Sequence, residues 1–158
     1  MNYAEEIGKI LTEKYWTIST TESCTGGLLS SKLTDVSGSS AYIKLNLVTY
    51  VNEAKHNMLK VSQNILDTKG AVSEECSYEM AKGLFELTNS DVCVSTTGIA
   101  GPTGGSKEKP VGLMYSTIYT PNNFKIYKIQ LNSNVERVIM KELFTQEVLK
   151  NIYEFLTK

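Results

Sequence analysis

The sequence is poor in the residues on which many catalytic sites and small folds depend. Its 158 residues include only three cysteines, and they show no C-x-x-C spacing, which argues against a disulfide framework or a zinc site. The only histidine is His56, so a Ser-His-Asp triad has a single possible centre, and no G-x-S-x-G motif accompanies it. No histidines and carboxylates stand at metal-ligand spacing, so we expect no metal site.

Excess charge and long apolar runs are missing as well. The net charge is −1 and the pI is near 5.9, so the chain has no electrostatic footprint for nucleic-acid phosphates. No apolar run is long enough to span a bilayer, and MNYAEEIGKI lacks the basic-then-apolar order of a signal peptide. With 41% hydrophobic and 21% charged residues, the composition is globular. We expect one soluble, cytoplasmic domain over residues 1–158, with neither a nucleic-acid nor a membrane partner.

Hydrophobic periodicity predicts alternating strands and helices through the first two thirds of the chain. A hairpin then precedes a long closing helix with Ile139, Leu143, Ile152 and Leu156 on its apolar side. This order predicts a three-layer α/β/α domain with a mixed sheet. The main predicted elements are helices over 3–15 and from Asn52, a helix capped by Ser73, and strands over 16–20, 45–51 and 91–97.

The segment TTESCTGG, residues 20–27, follows a predicted strand and precedes a predicted helix. Five of its eight side chains carry a hydroxyl or a thiol, so Ser23 and Cys24 are both candidate nucleophiles. The amides that open the helix, at Thr25, Gly26 and Gly27, could bind an oxyanion. Ser, Thr and Gly are also common helix caps, and the pattern alone slightly favours that interpretation.

A serine nucleophile needs a base, and Lys55 is the candidate. It follows an apolar strand and could reach the same edge of the sheet as Ser23. Lysine acts as a base when burial or nearby positive charge keeps its amine neutral. Most lysines lie on the surface, so the position alone is a weak signal. A literal S-x-x-K motif, from Ser106 to Lys109, falls in a polar loop and is interpreted as accidental.

The loop over 98–110 contains four glycines and two prolines. It is not a Walker A motif, because Ser106 stands before Lys107 where glycine is required and a strand follows instead of a helix. Its backbone amides could still surround a ligand. The alternative is a long surface connection.

Five segments in this order resemble the C-terminal domain of the competence/damage-inducible CinA proteins, over about residues 4–156. Stand-alone members of that family hydrolyse the carboxamide of nicotinamide mononucleotide, by a serine–lysine mechanism without metal or other cofactor. The segments are TTESCTGGLL, LTDVSGSSAY, VTYVNEAK, GAVSEE and TTGIAGPTGGSKEKPVG.

The resemblance implies a role for each matching residue. Ser23 would be the nucleophile, Lys55 the general base and Tyr50 the hydrogen-bonding partner of Lys55. Desolvation, the only arginine and the substrate's pyridinium would lower the pKa of Lys55. We also expect a homo-oligomer, with a dimer as the default. The substrate-binding residues would be Arg137, Thr97, Gly98, Gly101 and Gly104.

The sequence also departs from the family pattern. Leu45 and Asn46 stand where members usually carry a glycine pair, and we expect them to fill part of the pocket. Lys141 offers a second positive charge one turn after Arg137 but no bidentate geometry. Two alternatives therefore stay open: a non-catalytic nucleotide-binding or competence-associated module with the same fold, and a cysteine nucleophile at Cys24.

Overall fold

A computed structural model describes residues 1–158 and shows a five-stranded mixed sheet with helices on both faces. The strands are β1 (Ile18–Glu22), β2 (Ile43–Val48), β3 (Val92–Gly98), β4 (Leu113–Tyr119) and β5 (Phe124–Gln130). The helices are α1 (Tyr3–Lys14), α2 (Leu28–Thr34), α3 (Asn52–Leu59), α4 (Gln63–Thr68), α5 (Glu74–Thr88) and α6 (Arg137–Thr157), with a 3-10 turn at Ser39–Ala41. No helix is both long and apolar enough to cross a membrane.

The strand order is β2-β1-β3-β4-β5. β1 pairs in parallel with β2 and β3, whereas β4 pairs antiparallel with β3 and β5. Parallel strands need crossover connections, which helices supply between β1, β2 and β3. The strands β3, β4 and β5 pair antiparallel, and β4 with β5 forms the predicted hairpin. The predicted α/β fold with a mixed sheet is therefore confirmed.

Two apolar clusters cover the two faces of the sheet. The larger cluster joins α1, α2 and α6 to the sheet, and the smaller one joins α3, α4 and α5 to it. β3 lies at the centre and its first six residues are all buried, as expected of a strand covered on both faces.

The topology brings several chain segments to one edge of the sheet. The carboxyl ends of β1, β2 and β3 meet there because these strands run parallel. Since β4 is antiparallel, the loop between β3 and β4 lies at the same edge, and so does the connection from β5 to α6. This edge is where α/β proteins usually bind ligands.

Several predicted boundaries differ from the structure. The second strand ends at Val48, so Thr49 and Tyr50 belong to the connection that leads into α3. The N-cap of α3 is Val51 rather than Asn52. The predicted cap of α5 is confirmed, since Ser73 Oγ accepts a hydrogen bond from the amide of Cys76 at 3.1 Å.

The predicted apolar face of the last helix is wrong in its first half. Ile139 and Leu143 are 47% and 41% exposed, whereas Met140, Phe144 and Val148 are fully buried. Both rows have the helical i, i+4 spacing, so periodicity could not decide between them. The angle at which α6 meets the sheet decides.

Candidate active site

A cavity of about 280 Å³ opens at the carboxyl edge of the parallel strands. This volume is near the lower end of the range for small-molecule sites. Predicted residues from four separate chain segments line it together, although their roles stay predictions. They are Ser23, Tyr50, Lys55, Thr97, Gly98, Gly101, Gly104 and Arg137.

Ser23 and Lys55 meet at the floor of this cavity. The Lys55 Nζ lies 3.1 Å from the Ser23 Oγ, and it also lies 2.9 Å from the carbonyl oxygen of Thr49 and 2.8 Å from that of Tyr50. Lys55 is 1% exposed and Ser23 is 9% exposed. The lysine is therefore a buried amine that holds a serine hydroxyl and two backbone carbonyls.

These three contacts suit both protonation states of the amine. A neutral amine has two N–H groups and one lone pair, and a carbonyl oxygen can only accept. With the Thr49 and Tyr50 carbonyls accepting both N–H groups, the lone pair is left for the hydroxyl proton of Ser23. A protonated amine donates to all three oxygens instead. The geometry thus allows a proton to move from Ser23 to Lys55 without breaking the other two hydrogen bonds.

Burial lowers the pKa of Lys55 from its usual value, because desolvation disfavours the charged amine. Thiolates at Cys76 and Cys24 would oppose this shift. Burial, however, raises the pKa of these thiols to about 11 and about 12 respectively, so both are uncharged at neutral pH. The amine therefore has no anionic partner, and the predicted contribution of Arg137 to its lowered pKa is absent.

Tyr50 and Arg137 meet at the mouth of the cavity rather than at the base. Arg137 donates one hydrogen bond to the Tyr50 hydroxyl at 2.8 Å and another to the carbonyl oxygen of Gly101 at 2.7 Å. The expected contact between Tyr50 and Lys55 exists, but the backbone carbonyl makes it and the phenol does not. Arg137 therefore ties the glycine loop to the segment that carries Tyr50.

The helix opening after Ser23 differs from the predicted oxyanion site. The amide of Gly26 donates to the carbonyl of Ser23 at 3.0 Å, and that of Gly27 donates to the Glu22 carboxylate at 3.2 Å. Both glycines have positive φ, +59° and +102°, which explains why glycine stands there. The amides without a partner are those of Thr25, as predicted, and of Cys24. Cys24 also lines the cavity.

Glu22 is the residue that sequence analysis missed. Its side chain is fully buried, and its two oxygens accept hydrogen bonds from Thr25 Oγ1, from Ser30 Oγ and from three amides at the start of α2. The available signal was a carboxylate at the end of an otherwise apolar and hydroxyl-bearing strand.

Leu45 and Asn46 do not fill the pocket, contrary to expectation. Both lie on the edge strand β2 and neither lines the cavity. The Asn46 Oδ1 accepts a hydrogen bond from Thr20 Oγ1 at 2.9 Å, and the amide of Leu45 donates to Ser19 Oγ at 3.2 Å. The departure from the glycine pair thus lies on the edge strand of the sheet, outside the cavity.

Lys141 also lies outside the cavity. A Cβ on Gly26 would stand 3.4 Å from its Nζ, so the side chain runs over the turn after Ser23. This position does not replace the guanidinium of Arg137 at the mouth.

Fold and site together define a three-layer α/β protein with a buried serine–lysine pair at the carboxyl edge of its parallel strands. The profile of the CinA C-terminal domain family matches residues 1–156. The chain belongs to this family.

Curated relatives carry the same family name over a longer chain. A competence-damage inducible protein of Caldanaerobacter subterraneus subsp. tengcongensis is 49% identical over 134 residues, which are 85% of this chain and 32% of that protein. A CinA-like protein of Chloroherpeton thalassium is 42% identical over 158 residues, 99% of this chain and 38% of that protein. The chain thus spans about a third of the length of these relatives.

Solved structures of similar proteins have the same fold over nearly their whole length. A competence/damage inducible protein from Agrobacterium tumefaciens is 35% identical and superposes with a TM-score of 0.92, covering 100% of this chain and 97% of that one. The competence damage-inducible protein A from Klebsiella pneumoniae is 28% identical with a TM-score of 0.93, covering 98% and 95%.

Proposed function

We propose that this chain hydrolyses the carboxamide of nicotinamide mononucleotide to the carboxylate and ammonia. The observation that carries the proposal is the 3.1 Å contact between Ser23 Oγ and the buried amine of Lys55. An amide is a poor electrophile, so its hydrolysis needs an activated oxygen, a positioned base and donors for the oxyanion. The cavity offers each of these.

In the first half of the reaction, Ser23 Oγ attacks the carboxamide carbon while Lys55 Nζ takes the hydroxyl proton. The carbonyl oxygen becomes an oxyanion, and the unpaired amides of Cys24 and Thr25, the two residues after the nucleophile, are the proposed backbone donors for it. Lys55 then gives its proton to the nitrogen, the C–N bond breaks and ammonia leaves. Ser23 is left as an ester of the pyridine acid.

In the second half, a water molecule attacks the ester carbon and Lys55 takes its proton. The C–Oγ bond breaks, Ser23 recovers a proton from Lys55, and the free acid is released. The overall change consumes one water and produces one carboxylate and one ammonium ion. Lys55 returns to the neutral state in which it began.

Arg137 is the proposed partner of the nucleotide phosphate. It is the only arginine in the chain, and it lies at the cavity mouth beside the glycine loop. A guanidinium is permanently charged and presents several N–H donors in one plane, which suits phosphate. The fixed positive charge of the pyridinium would also disfavour protonated Lys55, so substrate binding supports the neutral base.

The test is release of ammonia from nicotinamide mononucleotide by purified protein. We expect Ser23→Ala and Lys55→Met to lower kcat by about a hundredfold or more while the fold is retained. The exposed residues Ser31 and Lys82 supply matched controls, Ser31→Ala and Lys82→Met, which should keep wild-type kcat.

Absence of ammonia release by the wild-type protein at high concentration would contradict the proposal. Binding of the nucleotide without turnover, unaffected by Ser23→Ala, would favour a non-catalytic binding module instead.

A further inference from the structure

Glu22 is buried without any cation beside it. Its side chain has no exposed surface, and it takes part in no ion pair. Its Oε1 accepts from the amides of Gly27 at 3.2 Å and Leu29 at 2.9 Å, and its Oε2 accepts from the amide of Ser30 at 3.0 Å. Each oxygen thus accepts from a backbone N–H, and hydrogen bonds of this kind stabilise a carboxylate. A buried, unpaired charge is costly, and only strong hydrogen bonding maintains it.

The carboxylate also accepts the last hydrogen bond of a chain of hydroxyl groups that begins at the backbone amide of Ser23. Thr25 Oγ1 donates to Glu22 Oε1 at 2.6 Å, which uses its only proton. In the 2.8 Å contact between Thr25 Oγ1 and Thr96 Oγ1, the donor must then be Thr96. The amide of Ser23 then donates to Thr96 Oγ1 at 3.3 Å, and it also donates to the Thr96 carbonyl oxygen at 3.0 Å. Every proton in this relay points toward Glu22.

We propose that Glu22 is a positioning residue for Ser23. Its charge orders the relay through Thr25 and Thr96, which holds the backbone of Ser23 and so keeps Oγ within reach of Lys55. By taking the amides of Gly27, Leu29 and Ser30, the carboxylate also fixes the turn in which the Cys24 amide stays unpaired. The inference rests on the proposed serine–lysine chemistry but not on the identity of the amide substrate.

A role in tuning the base is not part of this inference. Burial lowers the pKa of Lys55, and Glu22 is not among the groups that shift it. Replacing Glu22 should therefore lower the rate at Ser23 without moving the pH at which activity is half maximal. A residue that acted through Lys55 would move that midpoint.

The test uses a fluorophosphonate, which reports the reactivity of Ser23 without any natural substrate. Ser23 Oγ bonds to phosphorus, the P–F bond breaks, fluoride leaves, and Lys55 takes the hydroxyl proton. In Glu22→Gln the side-chain NH₂ cannot accept from the amide of Ser30, and in Thr25→Val the relay is cut. We expect each variant to react about tenfold to a hundredfold more slowly than the wild type, since displacements of about 1 Å have such costs.

Leu33→Ala is the matched control. Leu33 is fully buried on α2, the helix that follows the turn after Ser23. Its truncation destabilises α2 but changes no contact of that turn. We expect its rate per folded molecule to stay within about twofold of the wild type. The double variant Glu22→Gln/Thr25→Val should be little slower than the slower single variant, because both changes loosen the one hydrogen-bond network around Glu22 that holds Ser23.

A second measurement needs no reaction at Ser23. Hydrogen exchange of the Ser23 amide, followed by NMR, should be at least about tenfold faster in Glu22→Gln and Thr25→Val than in Leu33→Ala. Equal exchange in all three variants, or wild-type reactivity of Glu22→Gln toward the probe, overturns the inference. A wild-type protein that reacts with the probe but releases no ammonia from the nucleotide would contradict only the proposed substrate.

Discussion

Replacing Lys55 by methionine should change how folding stability depends on pH in the alkaline range. The amine is 1% exposed, has only uncharged hydrogen-bond partners, and has a pKa lowered by burial from the usual 10.5. Methionine has a similar length and no titratable group. The difference in the free energy of unfolding between wild type and Lys55→Met therefore isolates the proton of Lys55.

The sign follows from the number of protons that each state binds. Between the lowered pKa and 10.5, the unfolded chain still holds a proton on Lys55 that the native protein has lost. The free energy of unfolding of the wild type then rises with pH, relative to the variant, by up to about 1.4 kcal/mol per pH unit. Below the lowered pKa both states are protonated, and above 10.5 neither is, so the slope vanishes on both sides of the window.

Urea denaturation at a series of pH values from about 6 to about 10 measures this difference. The exposed Lys82, changed to methionine, is the control and should show no such slope. The pH at which the slope begins must agree with the half-maximal pH of kcat/KM, because both report the proton of Lys55 in the free protein. Since a neutral base is required, kcat/KM should fall as the pH falls through that value.

A stability difference that stays constant over the whole window would refute the account of Lys55 as a desolvated amine. A slope that begins well away from the midpoint of kcat/KM would show that another group controls the reaction.

Three further changes give separable outcomes. Arg137→Lys keeps the positive charge but loses the planar fork of donors that suits phosphate, so we expect KM for the nucleotide to rise about tenfold, whereas KM for the riboside, which lacks the phosphate, should stay unchanged. Iodoacetamide at about pH 7 should leave activity intact, because burial raises the pKa of Cys24 to about 12. Asn46→Gly should lower the free energy of unfolding by about 1–2 kcal/mol in urea denaturation, through loss of a hydrogen bond and gain of chain entropy, with kcat/KM within about twofold of the wild type.

Each of these outcomes has a clear contrary. An equal rise in KM for nucleotide and riboside would place the phosphate elsewhere. Inactivation by alkylation would revive a cysteine nucleophile, and a large gain in kcat/KM for Asn46→Gly would mean that the asparagine obstructs the site after all.

Much of this protein was predictable from residue order alone. Apolar periodicity placed most of the elements within a few residues, although it did not predict the short helix α4, since local propensity and binary pattern act over short stretches of chain. The alternation of strands and helices, followed by a hairpin, predicted the mixed sheet. The motifs around Ser23, Lys55 and the glycine loop carried the family, because they occur together and in one order.

Which neighbouring group each side chain contacts could not be predicted in this way. Tyr50 meets Lys55 through its carbonyl because β2 ends at Val48 and the chain turns there. Asn46 lies away from the cavity because it belongs to the edge strand β2, where its side chain is hydrogen-bonded to Thr20 of the neighbouring strand.

The burial of Lys55 and Glu22 is the clearest example of what depends on the whole fold. In sequence both look like the charged residues that usually face solvent. A side chain is buried when helices and sheet pack around it, which depends on the whole fold. Hydrogen bonds between distant segments, such as that from Thr96 to Thr25, form only when β1 and β3 are paired. Residue order determined which groups were present, and long-range packing determined which of them were desolvated and brought into contact.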